Sequence, residues 1–322
     1  MKRTKIMYAL IPLFVAIALP IGAFASEKTG TTAASFLKIG IGARAVAMGD
    51  AFTAVANDST AIYWNPAGLS QLKRMELIAQ HNIWLDDLRH EFLGYVHPTS
   101  YGNFGCALSY FHMGQIQETT MASPSGTGRT FTNYDLLGVL SYSRKVNESL
   151  SFGTNLKYLN QTLENHNASS YMADLGLLYR PSRLGFGLGV FNLGKGVKFI
   201  KDEFPLPILC KAGVSYGMEK LTLALDANKP TDGRLYFSAG AEVKPFGPLA
   251  VRLGWKDPGD HRGGTSRRIP TGLSAGAGIS FRDIQFDYAY VPYGDLGDTH
   301  WGSLLVRFGK DTEHPKPETK TD

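Results

Sequence analysis

The sequence predicts an all-β membrane protein: an antiparallel transmembrane barrel of about fourteen strands with an N-terminal luminal hatch of short helices. Three features of the 322 residues predict it. From residue 75 onward, stretches of roughly 8 to 12 residues alternate apolar and polar side chains between Gly, Pro, Asn and Asp punctuation. Within single strands, tyrosines bracket an aliphatic middle. Connections alternate short and long along the chain, as in barrels whose two rims face different compartments.

The chain begins with Lys2, Arg3 and Lys5, then an apolar run from Ile6 to about Gly22 that ends in Ala23-Phe24-Ala25. That is the layout of a cleaved secretory signal peptide over residues 1–25, and it implies export. Ser26 follows rather than Cys, so no lipid-anchored N-terminus is expected. The leader holds three of the five net positive charges, which leaves the mature chain at about +2. No basic-surface argument for a nucleic-acid partner stands on that balance.

Residues 26–74 do not alternate. They read as short helices broken by glycines, too apolar for a dangling tail and unable to span a bilayer, and are expected inside the lumen as a plug. In the box Asn65-Pro66-Ala67-Gly68-Leu69, Asn65 caps a short helix while Pro66 occupies its first turn, where a missing N–H costs nothing. Tyr63 and Trp64 just before it supply apolar bulk, either to wedge the plug against the wall or to touch a hydrophobic ligand.

The barrel is expected over residues 75–308. Its strands fall at about 75–84, 89–97, 103–113, 132–145, 149–161, 169–180, 184–193, 207–217, 220–228, 234–244, 248–256, 269–281, 284–291 and 300–308. Alternation alone does not separate a membrane barrel from a soluble sandwich. Aromatic placement does. One face of the fourth strand reads Tyr134, Leu136, Gly138, Leu140, Tyr142, and one face of the sixth reads Tyr171, Ala173, Leu175, Leu177, Tyr179. At roughly 3.3 Å per residue and a tilt near 40°, each tyrosine pair spans about 20 Å of bilayer normal, close to the apolar band between two aromatic girdles. The opposite faces carry Asp135, Ser141 and Ser143, or Asp174 and Arg180, as a watery lumen requires.

After the even strands come the short connections PTSYG, KVNE, RPSR, GM, VKPFG and RD. After the odd strands come WLDD and mostly longer stretches, among them GQIQETTMASPSGTGRTFTN, TLENHNA and GKGVKFIKDEFPL. An even strand count puts both barrel ends on the short-turn side, the periplasmic side in this reading. The lone Cys106 and Cys210 fall on outward strand phases and are expected to be free thiols. Residues 309–322 form a polar tail after the final aromatic, Phe308.

The run GARAVAMGDAFTAVANDSTAIYWNPAGLSQL resembles the N-terminal signature of the FadL-like outer-membrane superfamily, and most closely its PorV/PorQ branch. There a Gly-Ala-Arg-Ala-x-x-Met-Gly stretch leads into an Asp and then an Asn-Pro-Ala-Gly-Leu box. Residues 33–72 carry the resemblance; over the barrel only strand number and layout match. By position the family's elements fall on Arg44, Asp58 and Asn65 to Gly68. The resemblance implies a fourteen-stranded barrel with a hatch, placed in the bacterial outer membrane among its lipids. FadL-type members pass long-chain fatty acids or other hydrophobic molecules, while PorV-type members handle secreted cargo for the type IX secretion system. Arg44 and Asp58 are expected to pair within the plug or with luminal Asp174, Asp226 or Glu242.

No enzyme chemistry emerges. Gly40-Ile-Gly42-Ala-Arg-Ala45 fits a dinucleotide fingerprint, with Asp58 eighteen residues past Gly40, but no βαβ unit follows. Ser70-Gln-Leu-Lys73 fits a Ser-x-x-Lys pattern without companion motifs. The histidines lack zinc spacing, and the acidic loop residues Asp257, Asp260, Asp295 and Asp298 read as solvated charge. The sequence therefore predicts no catalytic residue, metal or cofactor. Three functions stay open: a passive conduit for hydrophobic molecules, a component that holds secreted cargo, and a barrel serving envelope structure alone.

Overall fold

The computed structural model describes residues 30–257 and 272–312. The expected signal peptide, the loop after the eleventh strand with the start of the twelfth, and most of the tail lie outside these residues. Eighteen strands follow the hatch: β1 (Met75–Ile83), β2 (Arg89–Thr99), β3 (Gly102–His112), β4 (Ile116–Gln117), β5 (Thr130–Phe131), β6 (Tyr134–Lys145), β7 (Leu150–Leu163), β8 (His166–Tyr179) and β9 (Leu184–Gly194) in the first half, then β10 (Val197–Phe199), β11 (Asp202–Phe204), β12 (Leu209–Gly217), β13 (Leu221–Pro230), β14 (Tyr236–Val243), β15 (Leu249–Lys256), β16 (Leu273–Phe281), β17 (Ile284–Pro292) and β18 (Asp298–Phe308).

Fourteen of these close an antiparallel barrel in which each strand pairs with its neighbours in sequence and β18 returns to β1. Closure removes every free sheet edge, which is what allows strands to cross a bilayer without unpaired backbone. Two small hairpins, β4–β5 and β10–β11, stand apart from the wall within connections that the sequence suggested were irregular. They are too short for periodicity to reveal.

Along every wall strand burial alternates, for example iBeBeBeBe over β1, where B is buried, i half-buried and e exposed. On β6 the outward Leu136 and Leu140 are exposed while the inward Ser141 and Ser143 are buried. On β8 the outward Tyr171 is exposed and the inward Asp174 is buried. Cys106 and Cys210 are free, on outward positions of β3 and β12.

One connection departs from the sequence reading. TLENHNA was expected as a long loop, but β7 and β8 extend to Leu163 and His166, and two residues make the turn. At fourteen residues each, both strands outrun the 9–11 that a bilayer needs, so their polar ends project as a ribbon at the long-loop end. Between β8 and β9 the register slips by one residue at Ala173/Leu175, opposite Asn192, whose φ of 61° marks a bulge. Asp174 fixes it: its Oδ1 accepts the Asn192 backbone N–H at 2.8 Å, and Lys157 Nζ sits 2.6 Å from its Oδ2.

Candidate functional site

The lumen is filled by residues 30–72. Short helical turns at Ser35–Lys38, Ala43–Ala47, Ala61–Trp64 and Pro66–Gln71 fold the segment onto itself, and most of its apolar side chains are buried. None of these turns reaches a stable helix length, so tertiary contact with the wall holds them. Small residues at 43, 45, 47, 49 and 51 keep the segment thin enough to fit.

The Asn65 box is built as its residue types demand. Asn65 Oδ1 accepts the Ala67 N–H at 3.2 Å and caps the turn Pro66–Gln71, with Pro66 at its first position. The Asn65 amide spends its protons on the carbonyls of Thr53 in the hatch (2.9 Å) and Leu177 in β8 (3.0 Å). Gly68 allows the turn to lie on Ala56, since a Cβ there would stand 2.0 Å from the Ala56 carbonyl oxygen. Leu69 is fully buried, and Asn103 of β3 donates to the carbonyls of Leu69 and Leu72. Ser143 of β6 donates to the Ala67 carbonyl at 3.1 Å, and the Ser70 hydroxyl lies 2.7 Å from Ser151 Oγ of β7. The wall makes room in turn: a Cβ on Gly153 would stand 2.3 Å from Ala67 N, and one on Gly254 would meet Gly49 N at 1.9 Å.

Tyr63 and Trp64 pack inside the hatch. Trp64 is buried, donates Nε1 to the Ile41 carbonyl at 2.7 Å, and carries the Lys211 ammonium 4.4 Å from its ring centre. Tyr63 donates its hydroxyl to the Leu37 carbonyl at 3.0 Å and meets Trp64 edge-on at 4.8 Å. Both wedge the plug in this state, as one of the two sequence readings had it.

Arg44 carries the electrostatics. Its guanidinium makes a two-pronged bond with Glu242 of β14 (Nε–Oε2 2.8 Å, Nη2–Oε1 2.9 Å), and Nη1 reaches Asp58 at 2.8 Å and Asn57 at 2.7 Å. Of the partners the sequence offered, Asp58 and Glu242 are correct. Asp174 and Asp226 are not: Asp174 serves Lys157 and Asn192, and Asp226 accepts the backbone N–H groups of Phe52 and Thr53. Burial works against the Arg44 charge, but Glu242 and Asp58 outweigh it and hold Arg44 protonated above the ordinary arginine range.

From Glu242 the contacts run on around the wall. Arg252 Nε bonds Glu242 at 2.7 Å and its Nη1 bonds Asp287 at 2.8 Å; Asp287 accepts from Gln285 at 2.8 Å; Gln285 contacts Arg307 at 3.3 Å; Arg307 bonds Glu76 at 2.9 Å. Glu76 accepts the Ser59 N–H at 2.8 Å, next to Asp58, so the circuit closes through the hatch. Sequence reasoning missed Arg252, Asp287, Arg307 and Glu76, although each sits on an inward strand phase where a charge needs a partner.

Toward the long-loop end the character changes to aromatic. Phe36 stacks on Phe111 at 5.9 Å and meets His90 edge-on at 6.3 Å, while Trp84 contacts Tyr293 at 4.9 Å and Trp301 at 5.7 Å. Between the hatch and β15–β18 a cavity of about 20 Å³, lined by Trp84, Trp301 and Val291 among others, has room for one water. At the rim, Asp232 between β13 and β14 holds the start of the hatch, accepting from Thr32 and Lys38 at 2.6 Å each. Its burial would favour the neutral acid, but the Lys38 and Thr32 bonds prevail and hold its carboxyl below the usual range.

No catalytic arrangement is present at the two motifs with enzymatic spellings. Ser70 is engaged with Ala67 and Ser151, and Asp58 with Arg44. Among the described residues no group of His, Cys, Asp and Glu is placed to hold a metal ion.

Residues 13–159 match the model of an uncharacterised protein family, UPF0164. Two UPF0164 proteins of Treponema pallidum (strain Nichols) are each 26% identical to the chain, over 170 and 209 residues. The matches take in 49% and 58% of this chain and 43% and 62% of the relatives, so the chain spans about half the length of the curated relatives it matches. Among solved structures, the Pseudomonas putida toluene transporter TodX is similar with a TM-score of 0.60 at 13% identity, covering 83% of this chain and 96% of that one. The CymD monoaromatic hydrocarbon channel gives 0.56 at 14%, covering 86% and 98%. At these identities the likeness is one of fold.

Proposed function

We propose that the chain is an outer-membrane conduit that passes hydrophobic molecules inward past a hinged hatch, with long-chain fatty acids as one candidate class. The division of the lumen carries the reading: aromatic side chains line its long-loop half, and charged and amide groups hold the hatch below. TodX and CymD, which share the fold, are described as carrying toluene and monoaromatic hydrocarbons, which supports the same class of cargo.

A ligand leaves the outer medium for the rings of Phe36, Trp84, Phe111, Tyr293 and Trp301, where burial of its apolar surface supplies the driving force. Passage then requires the hatch to move, since the cavity beside it holds only a water. The two flanks of the hatch differ in strength. Breaking the Arg44–Glu242 contact would strand buried charges at a cost of about 3–5 kcal/mol. The contacts of the Asn65 box with β3, β6, β7 and β8 are mostly neutral hydrogen bonds, each worth about 1 kcal/mol net. The hatch therefore hinges about Arg44 while the Asn65 box swings from the wall. No energy source enters; direction follows the gradient. Uptake of a labelled fatty acid or aromatic hydrocarbon into proteoliposomes tests this, and a rate equal to that of empty liposomes rejects it.

A second reading, cargo handling for type IX secretion, has its own support. Residues 33–72 resemble the PorV/PorQ signature, and the projecting β7–β8 ribbon with hairpins β4–β5 and β10–β11 offers a platform at the outer rim. Crosslinking at that rim followed by capture separates the readings: secreted proteins support cargo handling, and lipid alone supports the conduit.

A further inference from the structure

The wall has a second concave feature, on its outside. A groove of about 570 Å³ crosses the outward face of β1, β2, β3, β6, β7 and β8. Its floor lies at Cys106 and Gly138, and its rim is Leu93, Leu140, Leu156 and Tyr171. Gly138 opens it: the position faces outward, and a Cβ there would find no atom nearer than Leu108 Cδ2 at 4.0 Å. Lys157 contributes only from behind, since its ammonium turns into the lumen to Asp174. No other charged side chain borders the groove. It runs from Leu77 and Tyr95, beside the short-turn end, to the Tyr158–Tyr171 pair (ring centres 5.1 Å apart) toward the other rim.

We propose that this groove is a binding site for an acyl chain of a membrane lipid, held longer than the lipid around the rest of the barrel. The groove is continuous with the tyrosine-bounded aliphatic belt, so hydrocarbon is what covers it. Its elongated course between two girdles suits an extended chain rather than a compact solute. The depression gives a chain contacts on its floor and both sides, where a convex wall offers only one, and dispersion contacts add up with their number. The tyrosine hydroxyls at its ends stand where a headgroup meets water. The site lies on the opposite side of the wall from the luminal conduit and stands or falls independently of it.

The groove carries its own reporter, because Cys106 is a free, exposed thiol in its floor. Full-length protein extracted in mild detergent is examined by native mass spectrometry and by labelling of Cys106 with a lipophilic maleimide. One phospholipid should remain per barrel, and removing it with stronger detergent should speed Cys106 labelling several-fold. Gly138→Phe, which fills the floor, should abolish the retained lipid. Gly302→Phe adds the same ring on β18, where no atom lies within 4 Å of a Cβ, and should leave the lipid in place. Heat-modifiable gel migration checks that both variants fold; should Gly138→Phe not fold, Gly138→Leu takes its place. A wild-type barrel without lipid, a filled variant that keeps it, or a free fatty acid in its stead would overturn the proposal.

Discussion

Arg44 of the hatch and Glu242 of β14 meet in a two-pronged bond of 2.8 and 2.9 Å, with side chains 11% and 1% exposed. This pair joins the plug to a belt of charges that runs through Arg252, Asp287, Arg307 and Glu76 and returns to the plug at Ser59. A buried guanidinium with satisfied partners registers one plug position against one strand, and the cost of unpairing it resists slippage.

Arg44→Ala should therefore destabilise the folded barrel by about 3–5 kcal/mol, because Glu242 and Asp58 are left without their shared partner. Arg44→Lys should recover only part of the loss, since an ammonium offers no fork. Arg44→Ala with Glu242→Gln should cost less than the two changes added. Tryptophan fluorescence during denaturant unfolding in lipid vesicles measures all three, and strict additivity would show that the pair is not coupled.

Wall glycines beneath the hatch should tolerate no side chain. Gly254→Val brings atoms into the Met48–Gly49 backbone, where even a Cβ would lie 1.9 Å from Gly49 N. The expected outcome is a closed barrel with an expelled hatch, seen as protease cleavage between residues 40 and 60 and unchanged heat-modifiable migration. Gly302→Ala, facing open space, should leave the hatch protected.

The rim clamp should release in acid. Asp232 is held below its ordinary value by Lys38 and Thr32, so its contribution is full at pH values above the unfolded carboxylate value, about 4. It is lost as the pH falls through the lower, folded value. A spin label at the exposed Ser35 should sharpen below about pH 4 in the wild type and be sharp already at neutral pH in Asp232→Asn. A wild-type label that stays ordered at pH 2 would contradict the clamp.

Much of this architecture is legible in the sequence, for physical reasons that differ by region. Fourteen wall strands are readable because lipid outside and polar lumen inside impose a strict two-residue period, as at Leu136–Ser141 or Ala173–Asp174. The same rule fails beyond the bilayer, where Leu163 and His166 face water on both sides and TLENHNA looks like a loop. The Asn65 cap is readable because it is local chemistry. Arg44–Asp58 lies within reach of sequence reasoning, fourteen residues apart, but Glu242 is 198 residues from Arg44 and only closure of the barrel makes them neighbours.

The account rests most heavily on the movement of the Asn65 box away from β7. Ser70 and Ser151 bring their hydroxyls to 2.7 Å, so a cysteine at each position, with Cys106 and Cys210 replaced by alanine, should form a disulfide that pins the box to the wall. Uptake of a labelled hydrocarbon into proteoliposomes should stop when this bond is oxidised and return on reduction. Equal uptake in both states, with the crosslink complete, would contradict the hinged hatch.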